Sequence, residues 1–344
     1  MTTRHLVIGL ALLLTPAAAR ADDAADQAVK TIEALGGKLT RDEKVPDKPV
    51  VAVNLHDSKV TDDDLKDLAG LKQLRALDLS ENNITDAGLK QLAAFPQLTA
   101  LNLRWTYVTD AGMKELAKLK GLRSLDLALT PVTDAGLKAL AALTELEALD
   151  LGKDTITDGG TNDLAALTHL RSLSLHDTRV TDVGVKDLAA LKELRTLNLG
   201  WTQVTDAGLK ELAGLKDLRS LGLSWTMVSD AGLKELAPFT QLTTLDLCAT
   251  RVTDAGLKEL AGLKEIQTLN LSVNQVTAAG VKELAALQKL HSLDLHLTQV
   301  ADAGLKELAG LKELRSLNVW ETKVTDAGVK ELHAALPDCK IVYH

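Results

Sequence analysis

The sequence predicts one α/β solenoid, an array of short strands and helices, and three observations predict it. From Val60 onward a marker recurs every 24 residues with no insertion: Thr61-Asp62, Thr85-Asp86, Thr109-Asp110, Thr133-Asp134, Thr157-Asp158, Thr181-Asp182, Thr205-Asp206, Ser229-Asp230, Thr253-Asp254, Thr277-Ala278, Ala301-Asp302 and Thr325-Asp326. Within each unit the apolar spacing changes from the strand period to the helix period. The two ends of the chain depart from the repeat, as the ends of a stacked array must. Units of this length cannot bury their apolar face alone, so 344 residues form one long domain rather than two.

Taken in order, residues 1–21 read as a secretory signal peptide. Arg4 and His5 precede the apolar run Leu6 to Leu14, then Pro16 and Ala17-Ala18-Ala19-Arg20-Ala21, with cleavage expected after Ala21 and a cut after Ala19 as the alternative. The apolar run is too short for a membrane span of about 20 residues, and no other candidate follows. Residues 22–52 are expected to cap the array: Asp22 to Leu35 as a helix ended by Gly36-Gly37, then extended segments interrupted by Pro46 and Pro49. Residues 53–336 hold about 12 units, and residues 337–344 add a closing strand, because Ile341 and Tyr343 keep the register of Leu317 and Val319. Gly159-Gly160-Thr161 puts a polar residue where other units have Leu or Val, and local looseness is expected there.

One unit, Leu194 to Ala213, shows the logic. Leu197 and Leu199 point inward while Thr196, Asn198 and Gly200 point out, a short strand with one exposed face. Leu209, Leu212 and Ala213 then fall on one helical stripe, with Lys210 and Glu211 toward water. Thr or Asp of the marker can cap the helix, and Asp206 stands in a favourable order with Lys210 four residues on. Thr106, Thr130, Thr178, Thr202, Thr226, Thr250, Thr298 and Thr322 occupy the place that Asn82 and Asn274 hold, where a small hydrogen-bonding side chain satisfies backbone as the strand turns away.

The L-x-x-L-x-L-x-x-T strand pattern and the V-T-D-A-G-L-K-E-L-A segment resemble the leucine-rich repeat family, and within it the cysteine-containing subclass and its bacterial relatives, over residues 50 to 344. Thr replaces the ladder Cys or Asn of those families, and no F-box-like segment is present. The resemblance implies a right-handed horseshoe with a concave parallel β-sheet and convex helices, usually used to hold another macromolecule.

Composition narrows the function. A net charge of -8 with 25% charged residues of both signs describes an acidic surface without the basic stripe that nucleic acid needs. Cys248 and Cys339 lie almost four repeats apart, roughly 18 Å at about 4.8 Å per strand, and should be free thiols.

Information lies in the outward positions that vary between units. One column holds Asp57, Glu81, Trp105, Leu129, Lys153, Asp177, Trp201, Trp225, Ala249, Val273, Leu297 and Glu321, with Trp320 in the adjacent column. Trp201 and Trp225 fall on adjacent strands and head an apolar ridge through Leu297, of the kind that anchors a partner. A parallel column of short polar residues includes Asp126, Asp150, Asn198 and Asp246. Neighbouring Asp126 and Asp150 stand at the spacing of a glycosidase pair, about 5 Å, but on an open sheet without a pocket. His56, His176 and His296 share a column at intervals of about 24 Å, too far apart for one metal ion. Asp62-Asp63-Asp64 lacks the spacing of a calcium loop.

These features predict an exported, non-enzymatic monomer, periplasmic, cell-surface or extracellular, without cofactor or metal. It binds a protein through Trp105, Trp201, Trp225 and Trp320 with Asp126, Asp150, Asn198 and Asp246. A glycan or cell-wall module is the alternative, with Trp faces stacking on sugars. A ubiquitin-ligase substrate receptor is a further alternative by resemblance, opposed by the signal peptide and the missing F-box.

Overall fold

The structure, a computed structural model, describes residues 16–344. Most of the expected signal segment, residues 1–15, lies outside the described residues. Helix α1 spans Pro16–Ala34 and ends where Gly36, at φ 71°, turns left-handed. The Gly37 N–H donates to Ile32 O and the Gly36 N–H to Glu33 O, so the last carbonyls are satisfied. The fully buried Ala28 and Ile32 press α1 onto the first repeat.

Fourteen strands form one sheet in chain order. β1 (Lys38–Arg41) pairs antiparallel with β2 (Val50–Asn54), and every later pairing is parallel. The rest are β3 (Ala76–Asp78), β4 (Ala100–Asn102), β5 (Ser124–Asp126), β6 (Ala148–Asp150), β7 (Ser172–Ser174), β8 (Thr196–Asn198), β9 (Ser220–Gly222), β10 (Thr244–Asp246), β11 (Thr268–Asn270), β12 (Ser292–Asp294), β13 (Ser316–Asn318) and β14 (Lys340–Val342). Register is constant at 24 residues, as in Thr196↔Ser220 and Leu197↔Leu221. Short α- and 3₁₀-helices return the chain on the convex side. The fold is the right-handed leucine-rich-repeat solenoid, with its parallel sheet on the concave face.

The core is continuous from end to end. In the unit of β8, Leu194, Leu197, Leu199, Val204, Leu209, Leu212 and Leu215 are all fully buried. These seven come from strand, turn and helix alike, so each unit contributes one complete apolar layer.

The marker divides its work between two residues. Thr205 is the N-cap, its Oγ1 accepting from Ala207 N, whereas the Asp206 carboxylate accepts from the N–H and Oγ of Ser229 in the next unit. The expected Asp206–Lys210 pairing is therefore replaced by a staple between units. The same pair of bonds joins Asp62 to Thr85, Asp182 to Thr205 and Asp302 to Thr325. It is missing where Ala278 faces Ala301: both partners have lost their side-chain oxygen together. The marker's glycine follows from the staple, since a Cβ on Gly184 would collide with Asp158 Oδ1, which accepts from the Gly184 N–H at 3.0 Å.

Thr161 corrects the expected looseness. It is fully buried, and its Oγ1 bonds both Asp158 O at 2.9 Å and Asp187 Oδ2 of the next unit at 2.7 Å. The carboxylates of Asp62-Asp63-Asp64 are likewise committed, to Thr85, Lys66 and Thr61 respectively.

Candidate binding face

Four outward columns make up the face. The first is small throughout: Ala52, Ala76 and Ala100 on β2 to β4, then Ser124, Ala148, Ser172, Thr196, Ser220, Thr244, Thr268, Ser292 and Ser316. Nothing in this column therefore stands tall enough to block approach to the backbone. The second column holds Asp126, Asp150, Asn198 and Asp246, all half-buried. Each turns one oxygen back to its own chain: Asp126 Oδ1 accepts from Ala128 N, Asp150 from Gly152 N, Asn198 from Gly200 N and Asp246 from Cys248 N, at 2.8–3.0 Å. These bonds close the strand end as side-chain-to-backbone turns, which leaves the second carboxylate oxygen of each Asp, and the amide nitrogen of Asn198, for other partners. Asp126 and Asp150 are direct strand partners. Burial, with the charges of Asp150 and Asp78, pushes the Asp126 carboxyl up.

The third column runs through His176, Gly200, Ser224, Cys248, Ser272, His296 and Trp320, and the Trp column beyond it forms the rim. All of its twelve residues, from Asp57 at φ 47° to Glu321 at φ 51°, are left-handed, and none is glycine. The conformation is imposed by the ladder: Trp201 N–H donates to Ser224 O at 2.7 Å and Trp225 N–H to Cys248 O at 2.8 Å, extending the parallel pairing while the chain leaves the sheet. The turn lifts the side chain outward. It costs an L-residue about 1–2 kcal/mol, most at β-branched Val273. Trp201 and Trp225 stack with ring centroids 4.5 Å apart and are 48% and 49% exposed. Val273 and Leu297 continue the exposed apolar row. Trp105 stands apart beside exposed Tyr107, and Trp320 stacks on His296 at 4.8 Å. The face thus brings Trp201, Trp225, Asn198 and Asp246 into one region and leaves Trp105, Asp126 and Asp150 in another.

The helix-entry ladder holds one residue that the sequence pattern concealed. Most of its threonines donate to the carbonyl three residues back, as Thr178 does to Leu175 O, and Asn82 bonds Leu55, Leu79 and Ser80 carbonyls. Asp154 takes this place between Thr130 and Thr178 and is buried. Its Oδ1 accepts from Thr130 N at 2.8 Å, while its Oδ2 and Thr130 Oγ1 have no hydrogen-bond partner among the described residues. Burial, with Asp150 and Asp126 nearby, pushes its carboxyl up to about 8. The signal was present as an Asp in an otherwise Thr/Asn series.

A second feature was hidden by net charge. The residue before each strand is Arg in six units, at Arg75, Arg123, Arg171, Arg195, Arg219 and Arg315, a basic row along the far edge of the sheet. Arg123 and Arg171 share Glu147, which neutralises the row in the middle. Among the described residues no three His, Cys, Asp or Glu are placed to hold a metal ion. Cys248 and Cys339 are free, and burial pushes both thiols up, which makes neither a ready nucleophile.

This geometry, a stacked array with a small-residue floor and a varied rim, is that of a repeat scaffold. A family model described as a leucine-rich repeat region matches residues 88–334, and a second, described as a leucine-rich repeat, matches residues 72–93. The chain belongs to the leucine-rich repeat family. No curated protein matches it. Among solved structures, an internalin of Listeria monocytogenes is 24% identical, covering 97% of this chain and 98% of its own, with a TM-score of 0.66. A leucine-rich repeat protein of Leptospira interrogans is 24% identical, covering 80% of this chain and 74% of its own, with a TM-score of 0.60. At these identities the likeness is one of fold. No catalytic family is indicated.

Proposed function

We propose that this chain is an exported, non-enzymatic monomer that holds a protein partner through its concave face and its Trp-bearing rim. The fold is commonly a protein-interaction scaffold. The observation that carries the reading is the stacked pair Trp201 and Trp225, two large apolar side chains left half in water at the head of an exposed apolar row. The stack favours protein over glycan: each ring spends one face on the other, so the pair offers one joined apolar block rather than two separate platforms for sugar rings. Export rests on the signal-like residues 1–21; a cut after Ala21 would retain Ala28 and Ile32, the α1 residues buried on the first repeat. Among the described residues no helix is long and apolar enough to cross a membrane. Residues 22–52 and 337–344 serve as end caps. Kinship with the cysteine-containing subclass rests on the V-T-D-A-G-L-K-E-L-A form alone.

The test is capture from the native extracellular fraction by the parent chain beside a Trp201→Ala/Trp225→Ala variant of matching circular dichroism and melting. Loss of a partner in the variant is expected. Equal capture by both would reduce the Trp pair to a cover for the core edge.

A further inference from the structure

Along the apolar row the four outward columns carry charge of one sign, and the exposed cations Arg179 and Arg251 stand beyond the rim, two residues after Asp177 and Ala249. On β7 to β13 the four outward columns contain no Lys or Arg. They do contain Asp246 and Asp294 in the polar column, while Asp177 and Glu321 close the two ends of the row. Each inner carboxylate spends one oxygen on its own chain, with Asp246 Oδ1 accepting from Cys248 N and Asp294 Oδ1 from His296 N. Among the described residues the second oxygen of Asp246 has no hydrogen-bond partner, and that of Asp294 receives only the Asn318 amide at 3.2 Å. Cys248 stands in the column between Asp246 and the rim; burial pushes its thiol up, a Ser272 hydrogen bond opposes this, and the charges of Asp246 and Asp294 add to the rise. The basic row stands at the opposite ends of the strands, and neither Arg179 nor Arg251 forms an ion pair with Asp246 or Asp294 among the described residues.

We propose that the occupant of the rim is a cationic amphipathic helix of the partner, with its apolar side chains on the row from Trp201 to Leu297 and Lys or Arg side chains on Asp246 and Asp294. This deepens the protein-binding reading and rests on it. The spacing agrees, because two repeats at about 4.8 Å make about 10 Å, and seven residues of helix rise about 10.5 Å. A helix lying along the solenoid therefore brings basic residues at i and i+7 over both carboxylates, and the small column of Thr244, Thr268 and Ser292 leaves room for its flank.

The experiment titrates the full chain with an 18-residue Leu/Lys peptide of helical periodicity and with its Leu/Glu counterpart, following Trp emission and heat. Asp246→Asn/Asp294→Asn is the informative variant. Asn54, Asn102 and Asn270 already make the same turn in this column, so the variant folds. Glu211→Gln/Glu283→Gln, on the exposed convex side, controls for general charge. The Lys peptide should bind and the Glu peptide should not, with affinity weakened about tenfold or more in the Asn variant and unchanged in the Gln control. Equal weakening in both variants, equal binding of the two peptides, or no binding of either would overturn the assignment. Loss of the native partner in the Trp variant but not in the Asn variant would sink only the charge assignment, whereas retention in the Trp variant would sink the rim itself.

Discussion

Asp154 is a carboxyl placed where the neighbouring units use a hydroxyl or an amide, and the physics of that exchange is measurable. Its folded pKa of about 8 stands far above the unfolded value of about 3.9. Below about pH 4 both states hold the proton, and the group does not bias folding. As pH rises from there the unfolded chain releases its proton first, so native stability falls until the folded group also ionises near pH 8. Asp154→Asn removes that slope. Its amide can keep the Thr130 N–H bond and donate to nearby carbonyls as Asn82 does. The variant should melt higher than the parent, by about 1–3 kcal/mol in urea, and the gap should be wider at pH 8 than at pH 5. A gap that does not change between those two pH values would show that Asp154 is not carried as the neutral acid.

Among the elements, the staple between units decides how firmly one repeat holds the next. Asp230 gives its two oxygens to the N–H and Oγ1 of Thr253, and Asp254 does the same for Thr277, but Ala278 and Ala301 meet without either bond. Restoring the pair requires both substitutions. Ala278→Asp alone should regain the bond from the Ala301 N–H and Ala301→Thr alone the helix N-cap, each about 0.5–1 kcal/mol, and the double variant should gain about 1 kcal/mol beyond their sum from the hydroxyl–carboxylate bond. A double-mutant cycle in urea checks this, and strict additivity would mean that the hydroxyl–carboxylate bond contributes nothing. The strands, helices and unit boundaries were legible in the sequence because Leu197, Leu199 and Leu209 report burial through their period alone. The staple was not, since an Asp before a helix reads equally well as a cap, and only the stacking distance assigns it to the next unit. The rim was half legible: the column of Trp105, Trp201 and Trp225 was visible, whereas its left-handed backbone was not, because no glycine or asparagine marks it. The stack of Trp201 on Trp225 follows from strand register and could be anticipated; the turn bonds that occupy Asp126, Asp150, Asn198 and Asp246 could not, because the same residues suit a solvated surface.

At the scale of the whole molecule, stability is close to a sum over units and their interfaces. The weakest interface should then set where the array opens. Hydrogen exchange is expected to show the units after Ala301 losing protection before those between Asp182 and Thr253, where each interface carries its staple. Uniform protection along the sheet would show that the apolar layers alone set the order. The missing staple also makes the length of the chain adjustable at one defined place. Every staple joins an Asp to the residue 23 positions on, so excising residues 278–301 fuses Thr277 directly to Asp302. The junction then reads Val276-Thr277-Asp302-Ala303-Gly304, the regular marker. Thr277 keeps Asp254 and Asp302 keeps Thr325, and a shorter coil results in which no rung is absent. The gap is thus a ready-made splice point, at which this solenoid can be cut to a smaller arc without making a seam.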